Sequence, residues 1–454
     1  MIDSFFQFLK GIETFFWGYI AFILIIVLGS YLTMKNAFFQ VRQVPAIIKY
    51  FIQLIGKSTK GERGVHPLKT FFASVGGMVG VGNIAGVVTA VELGGPGALF
   101  WVWVTGMIGA IVKYSEIYLG VKYRVENANG GYDGGPMYFL RHAFPSKFLP
   151  ILVAALLCIY GVEIYQFSVI TESVSTNWHV NRHLVALLLL GAILYASFGG
   201  VKRVGQICSW VMPIFILVFL GMGVWILAHE ITQVPAIFGM VLKSAFTGHA
   251  AVGGFAGATA MLAIQYGVAR AAYSSDIAIG YDSILQSESS NKHPQKQARL
   301  AILGVLIDNM ISTLSIVIVL VSGVWMAEVP IPGSHLVQVA LSNYFPYMHL
   351  FMPVCLAIVG FTTIIAFFCV GIKCAKYLFP RIGMPIYAVY GAFSLLLSSF
   401  IDQAQTMLVM SIAGALLLII NLLGIFKLRR EISFIIPDEE PLVLKKKAIK
   451  TPIS

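Results

Sequence analysis

Runs of about 20 mostly apolar residues recur along this 454-residue chain, and no other feature constrains its fold as strongly. A run of that length crosses the hydrocarbon core of a bilayer as a helix, which satisfies its own backbone hydrogen bonds where no water can. Eleven candidates lie near 13–34, 67–91, 96–121, 148–171, 183–199, 203–228, 249–270, 299–326, 346–372, 383–401 and 404–426. Composition excludes a soluble chain. Hydrophobic residues are 58% and charged residues 11%, against roughly 25% charged in an ordinary globular domain. That is too few charges to cover a water-exposed surface. The expected class is an all-α polytopic membrane protein with 11 transmembrane helices.

The net charge of +11 would suit a nucleic-acid partner only if it were gathered on one face, and it is not. Twenty-seven of the 31 Lys and Arg residues fall in alternate loops and the C-terminal tail, and three (Lys10, Arg182 and Lys243) fall on the other side. Basic loops stay cytoplasmic, so the expected topology has the N-terminus outside and the C-terminus inside a cell (inner) membrane. The stretch 36–57 mixes Arg42, Lys49 and Lys57 with apolar residues and reads as an interfacial amphipathic helix. The run Lys445-Lys446-Lys447 suits anionic lipid headgroups. Five scattered cysteines show no metal-ligand spacing and read as packing residues.

If the first span is peripheral, ten remain, and five plus five of opposite orientation make an inverted repeat. A glycine-interrupted helix opens each half: Gly76-Gly77-Met78-Val79-Gly80-Val81-Gly82-Asn83-Ile84-Ala85-Gly86 in the first, and Gly253-Gly254-Phe255-Ala256-Gly257 in the second. Breaking a helix at mid-membrane frees N–H groups that can hold an anion and C=O groups that can replace the water shell of a small cation. Glycine permits the unwound backbone and a close approach of ligand. Gly82 and Gly86 alone would suit plain helix packing. A matched pair in opposed halves points to a transporter site. The expected organisation is a peripheral helix plus interfacial helix at 1–66, a first repeat at 67–228, a second at 249–426, and a basic tail at 427–454.

Six motifs in order carry a resemblance over about 67–380: Gly80 to Gly86 with Gly94-Gly95-Pro96-Gly97-Ala98; Lys113-Tyr114-Ser115-Glu116; Gly134-Gly135-Pro136-Met137-Tyr138; Lys243-Ser244-Ala245-Phe246-Thr247 through Thr259; Ile307-Asp308; and Phe361-Thr362-Thr363-Ile364-Ile365. In these the chain resembles the alanine/glycine:cation symporter family, of the amino acid–polyamine–cation superfamily. The resemblance implies an inverted-repeat core with broken first and sixth core helices that carries a small neutral amino acid together with Na⁺. It implies substrate contacts from Gly80, Gly82, Asn83 and Gln166, with Gly253, Phe255 and Gly257 opposite. It implies a sodium site at Gly76, Val79, Thr362 and Thr363, with Asn83 and Asp308 as further candidates. No organic cofactor and no catalytic residue is expected. The chain departs from the family at Val81 (usually Thr), Ser168 (Asn), Asn309 (Thr) and Phe367 (Trp). It also departs in Ser274-Ser275-Asp276-Ile277-Ala278-Ile279-Gly280-Tyr281, where the family has Ser-Asn-Glu-Ala-Gly-Leu-Gly-Ser.

Glu163, where the family carries no acid, is a further candidate, since an ionisable group inside a span is functional by default. Three residues before Gln166, it is placed on the same helical face, with substrate recognition, proton transfer or a helix-bridging hydrogen bond as its roles. Lys113 and Glu116, a turn apart, read as a structural pair. His179 and His183 read as loop residues. Two rivals to a Na⁺ symporter remain at this level: a proton-coupled carrier using Glu163, and an intramembrane enzyme using Glu163 or Asp308.

Overall fold

A computed structural model describes residues 2–56, 62–128, 130–247, 260–326 and 333–437. Helices dominate. The first long one, α1 (Phe5–Lys35), precedes a shorter amphipathic helix, α2 (Val44–Ile55). A broken pair follows, α3 (Pro67–Met78) and α4 (Gly82–Gly94), bent by 44°. Then come α5 (Ala98–Lys122), α6 (Phe148–Tyr160), α7 (Ile164–Trp178), α8 (Arg182–Ser197), α9 (Gly200–His229) and α10 (Val234–Thr247). The remainder are α11 (Ala260–Ser274), α12 (Tyr281–Ser287), α13 (Pro294–Ser322), α14 (Gly333–Ser342), α15 (Met348–Leu378), α16 (Gly383–Ser398) and α17 (Gln403–Lys427).

Among the described residues, seven helical stretches are long and apolar enough to cross a membrane, and eight if the bent pair counts as one span. The outward faces are apolar: Trp210 and Leu217 on α9 are 73% and 72% exposed, the reverse of a soluble surface. Polar residues instead turn inward, where Asn83, Ser275, Asp308 and Thr363 are all buried.

Several boundaries differ from the sequence reading. The first span starts near residue 5 instead of 13 and contains a π-helical turn, Phe16–Ala21, whose Gly18 carbonyl receives Gln265 Nε2 at 3.0 Å. The span expected at 148–171 is present as one stretch, Phe148–Trp178, with a kink at 161–163 that divides it into α6 and α7. Two short helices outside the expected spans, α10 and α14, lack the length of a span. The stretch expected as an interfacial helix contains an amphipathic one, α2, which turns Ile47, Tyr50 and Leu54 inward, one face at helical spacing.

Packing holds the break in α3/α4 open. The α3 half lies against α9, α15 and α12 and the α4 half against α11 and α14, while α13 touches both. These largely different partners on either side of residues 79–81 fix the bend without a proline. The start of α3 is set locally, by Pro67 in the first turn and by His66 Nδ1, which accepts Leu68 N–H at 3.2 Å.

Candidate functional site

At the break, α3 stops because Val79 is extended (φ −84°, ψ 93°). The backbone groups released there find side chains. Gly80 N–H donates to Asn83 Oδ1 at 3.0 Å, and Val81 N–H donates to Gln166 Oε1 of α7 at 2.9 Å. The Gly76 carbonyl, which an unbroken helix would pair with Gly80 N–H, lies 3.2 Å from Thr363 Oγ1 of α15. Gly80 has no room for a side chain: a Cβ there would sit 2.5 Å from Thr363 Oγ1 and 3.0 Å from Gln166 Nε2. At Gly82 a Cβ would meet only Tyr273 Cε1, at 3.9 Å, because that side of the backbone faces a cavity.

The cavity is small, about 10 Å³, roughly the space of one water. From the break it is lined by Met78 and Gly82; from α7 and the kink before it, by Gln166 and Glu163. Thr363 and Phe367 of α15 close one side, and Tyr160, Tyr273 and Asp276 another. Tyr273 also borders a vestibule of about 550 Å³ between α1, α11 and α17. A second vestibule, of about 570 Å³, lies among the basic loops near Lys202 and Lys373. There Lys373 Nζ bridges Asp133 (2.7 Å) and Glu288 (2.5 Å).

Beside the cavity runs a buried polar network. Asp308 of α13 accepts from Asn83 Nδ2 and from Ser275 Oγ. Asn83 Nδ2 also reaches Ser312 Oγ at 3.0 Å. Lys113 of α5 is paired with Asp282 of α12 and donates to the Ser275 carbonyl. The pairing with Asp282 replaces the one expected with Glu116, whose carboxyl oxygens have no hydrogen-bond partner among the described residues. Buried charge in a membrane interior needs such a partner, and α12 supplies it from far along the chain.

Of the expected site residues, the structure brings Gly82, Gln166, Glu163 and Thr363 to the cavity wall. Gly80 and Asn83 shape the break behind it, since the Asn83 amide is occupied by Gly80, Asp308 and Ser312. Gly76 meets Thr363, but Thr362 does not reach it: its hydroxyl lies 2.8 Å from the Val359 carbonyl of its own helix and 3.5 Å from Met212 Sδ. Val79 supplies the extended turn. Asp308 serves the network just described. Gly253, Phe255 and Gly257 lie outside the described residues. Glu163 does not share a helical face with Gln166 as expected. It precedes α7 in a left-handed conformation (φ 58°).

Of the other wall residues, Gly77, Met78, Ser274, Asp276 and Phe367 stand in the sequence reading only within a glycine run or as departures from the family, and Tyr160 and Tyr273 were missed altogether. Asp276 carried a signal, as an acid where the family has Glu, but the tyrosines carried none. Two departures turn out to be neighbours: Tyr281 stacks on Phe367 with centroids 3.7 Å apart. The larger residue at 281 fills the space that a smaller one at 367 leaves.

A predominantly helical chain with a broken helix facing a small polar-lined cavity has the architecture of a membrane transporter. The same fold is found in solved structures of MhsT bound to L-phenylalanine (TM-score 0.56, 14% identity, 79% of this chain and 89% of that one). It also appears in Mhp1, a nucleobase-cation-symport-1 family transporter (TM-score 0.53, 13% identity, 76% and 75%). The chain belongs to the sodium:alanine symporter family, whose profile matches residues 2–440. It is 32% identical to the transporter YflA of Bacillus subtilis (84% of this chain, 82% of that one) and 27% identical to the sodium/alanine symporter AgcS of Methanococcus maripaludis (94% and 95%). The probable sodium/glutamine symporter GlnT of Bacillus subtilis is also 27% identical (96% and 90%).

Proposed function

We propose that this protein is a secondary active symporter that couples Na⁺ entry to uptake of a small amino acid, alanine- or glycine-like in size, by alternating access. The observation that carries the reading is the break at residues 79–81 beside a small polar-lined cavity. Its positive helix end at Gly82 faces the cavity, a placement suited to a carboxylate. The Gly76 carbonyl and Thr363 hydroxyl, 3.2 Å apart, offer oxygen ligands to a hard cation; the same two atoms would turn from each other to the ion. Relatives named as sodium/alanine and sodium/glutamine symporters support both halves of the proposal.

In this reading the chain has eleven spans, a five-plus-five inverted-repeat core at 67–228 and 249–426, the N-terminus outside and the tail in the cytoplasm of a cell (inner) membrane. The vestibule bordered by Tyr273 is then the outer entrance and the one near Lys373 the inner exit, and the small cavity between them, with room for about one water, marks where the substrate site would have to widen. The test is uptake of radiolabelled alanine and glycine into proteoliposomes. An inward Na⁺ gradient should drive accumulation, and replacing Na⁺ by choline should abolish it. Accumulation driven equally by a proton gradient in choline would refute Na⁺ coupling.

A further inference from the structure

The cavity wall carries one more acid than the transport of a neutral amino acid calls for. Glu163 is 2% exposed, and its Oε2 has no hydrogen-bond partner among the described residues. Asp276, also buried, lines the same cavity, and among the described residues its carboxyl takes one long hydrogen bond, 3.4 Å, from the Tyr160 hydroxyl. Both are held there by backbone conformations that L residues rarely adopt: φ is 58° at Glu163 and 48° at Asp276. Strained left-handed residues that persist in a packed interior mark positions where the side chain's aim matters.

The neighbouring cation acts on Asp276 through charge alone, without a hydrogen bond, and Glu163 has no cation acting on it among the described residues. Lys113 is committed to Asp282 and to the Ser275 carbonyl. The remaining lining groups, Gln166, Thr363, Tyr160 and Tyr273, are neutral, and the Tyr273 hydroxyl has no partner among the described residues. A buried carboxylate needs a hydrogen-bonded positive partner. A zwitterionic amino acid brings one ammonium group, enough for one of the two.

We infer that the preferred cargo carries a second ammonium on a short side chain, a diamino acid, received by Glu163 and Asp276 together. The inference rests on the amino-acid reading above and narrows it. It also accounts for the position of Glu163 at a kink, where the carboxyl projects from the start of α7 into the cavity beside Gln166 instead of along a continuous helix face. A proton or the coupling Na⁺ is the competing partner for the extra carboxylate, and the three make different forecasts.

The experiment measures binding to purified protein in detergent with Na⁺ present, using shape-matched pairs: 2,4-diaminobutyrate against norvaline, and ornithine against norleucine. Alanine serves as reference. Wild type should bind each diamino acid at least tenfold more tightly than its neutral match. Glu163→Gln, which keeps the side chain's shape, should reduce that ratio at least tenfold and leave norvaline binding equal or tighter. Asp276→Asn should move the ratio the same way, and it covers the case in which the first variant fails to fold. A wild-type ratio of one or less overturns the inference. So does an unchanged ratio in Glu163→Gln accompanied by a shifted Na⁺ half-saturation or by loss of the pH dependence of uptake; those results assign the carboxyl to the ion or to a proton. Binding of alanine without diamino acids sinks the inference alone, whereas binding of no amino acid sinks the amino-acid reading with it.

Discussion

Two adjacent threonines with the same chemistry have different surroundings. Both hydroxyls donate to the Val359 carbonyl, but Thr363 Oγ1 also stands at the Gly76 carbonyl freed by the helix break, while Thr362 Oγ1 meets Met212 Sδ. One residue along a helix rotates the side chain by about 100°, enough to remove it from the site. If the cation binds at the break, Thr363→Ala should raise the Na⁺ concentration for half-maximal uptake about tenfold, the equivalent of about 1.4 kcal/mol. Thr362→Ala should change it by less than about threefold. Equal effects from the two substitutions, with both proteins folded, would remove Thr363 from the cation site.

At the scale of elements, the loop from Ser275 to Gly280 ties the core together. Its Ser275 bonds Asp308 of α13 and takes Lys113 of α5, and the next helix supplies Asp282. The left-handed residues Asp276 and Ala278 and the glycine at 280 give the loop its tight path. Asp282 is further held by Ser74 Oγ of α3 at 2.5 Å. The Lys113–Asp282 pair therefore joins α3, α5 and α12 just below the break. Removing one member leaves an uncompensated buried charge. Lys113→Met should cost about 3–5 kcal/mol, read as a lowered melting temperature in detergent. Lys113→Met with Asp282→Asn should be more stable than the summed single effects, by about 1 kcal/mol or more. Strict additivity would mean that the two side chains act independently.

Over the whole molecule, charge placement and the apolar exterior act together. The ion pairs of Lys373 with Asp133 and Glu288, and of Lys122 with Glu431, lie where the basic loops gather. The tail also docks there: Tyr114 donates to the Ser433 carbonyl at 2.7 Å, and Phe434 stacks on Tyr114. In the proposed topology, which rests on the positive-inside rule, this end faces the cytoplasm. Fluorescent protein fused after Ser454 in a bacterial host should mature and fluoresce, and alkaline phosphatase fused at the same point should stay inactive. The opposite pair of results would invert the proposed topology and exchange the roles of the two vestibules.

The sequence by itself determined the membrane class, the helical content and the break between α3 and α4. Insertion into lipid is close to a sum over residues, so apolar runs are legible without knowing their neighbours. The break was legible because five glycines between 76 and 86 make an unwound backbone cheap and leave it bare. The family motifs, too, led to Gln166 and Thr363. Partner choice was not legible, because it depends on how each helix is rotated about its axis and on where its phase is reset. A left-handed residue between Tyr160 and Ile164 resets that phase, and so Glu163 meets Tyr273 and Asp276, more than a hundred residues away, in the cavity wall. The same dependence gave Lys113 to Asp282 instead of Glu116 and separated Thr362 from Thr363. Those facts belong to the packing of helices against one another, which only the tertiary structure decided.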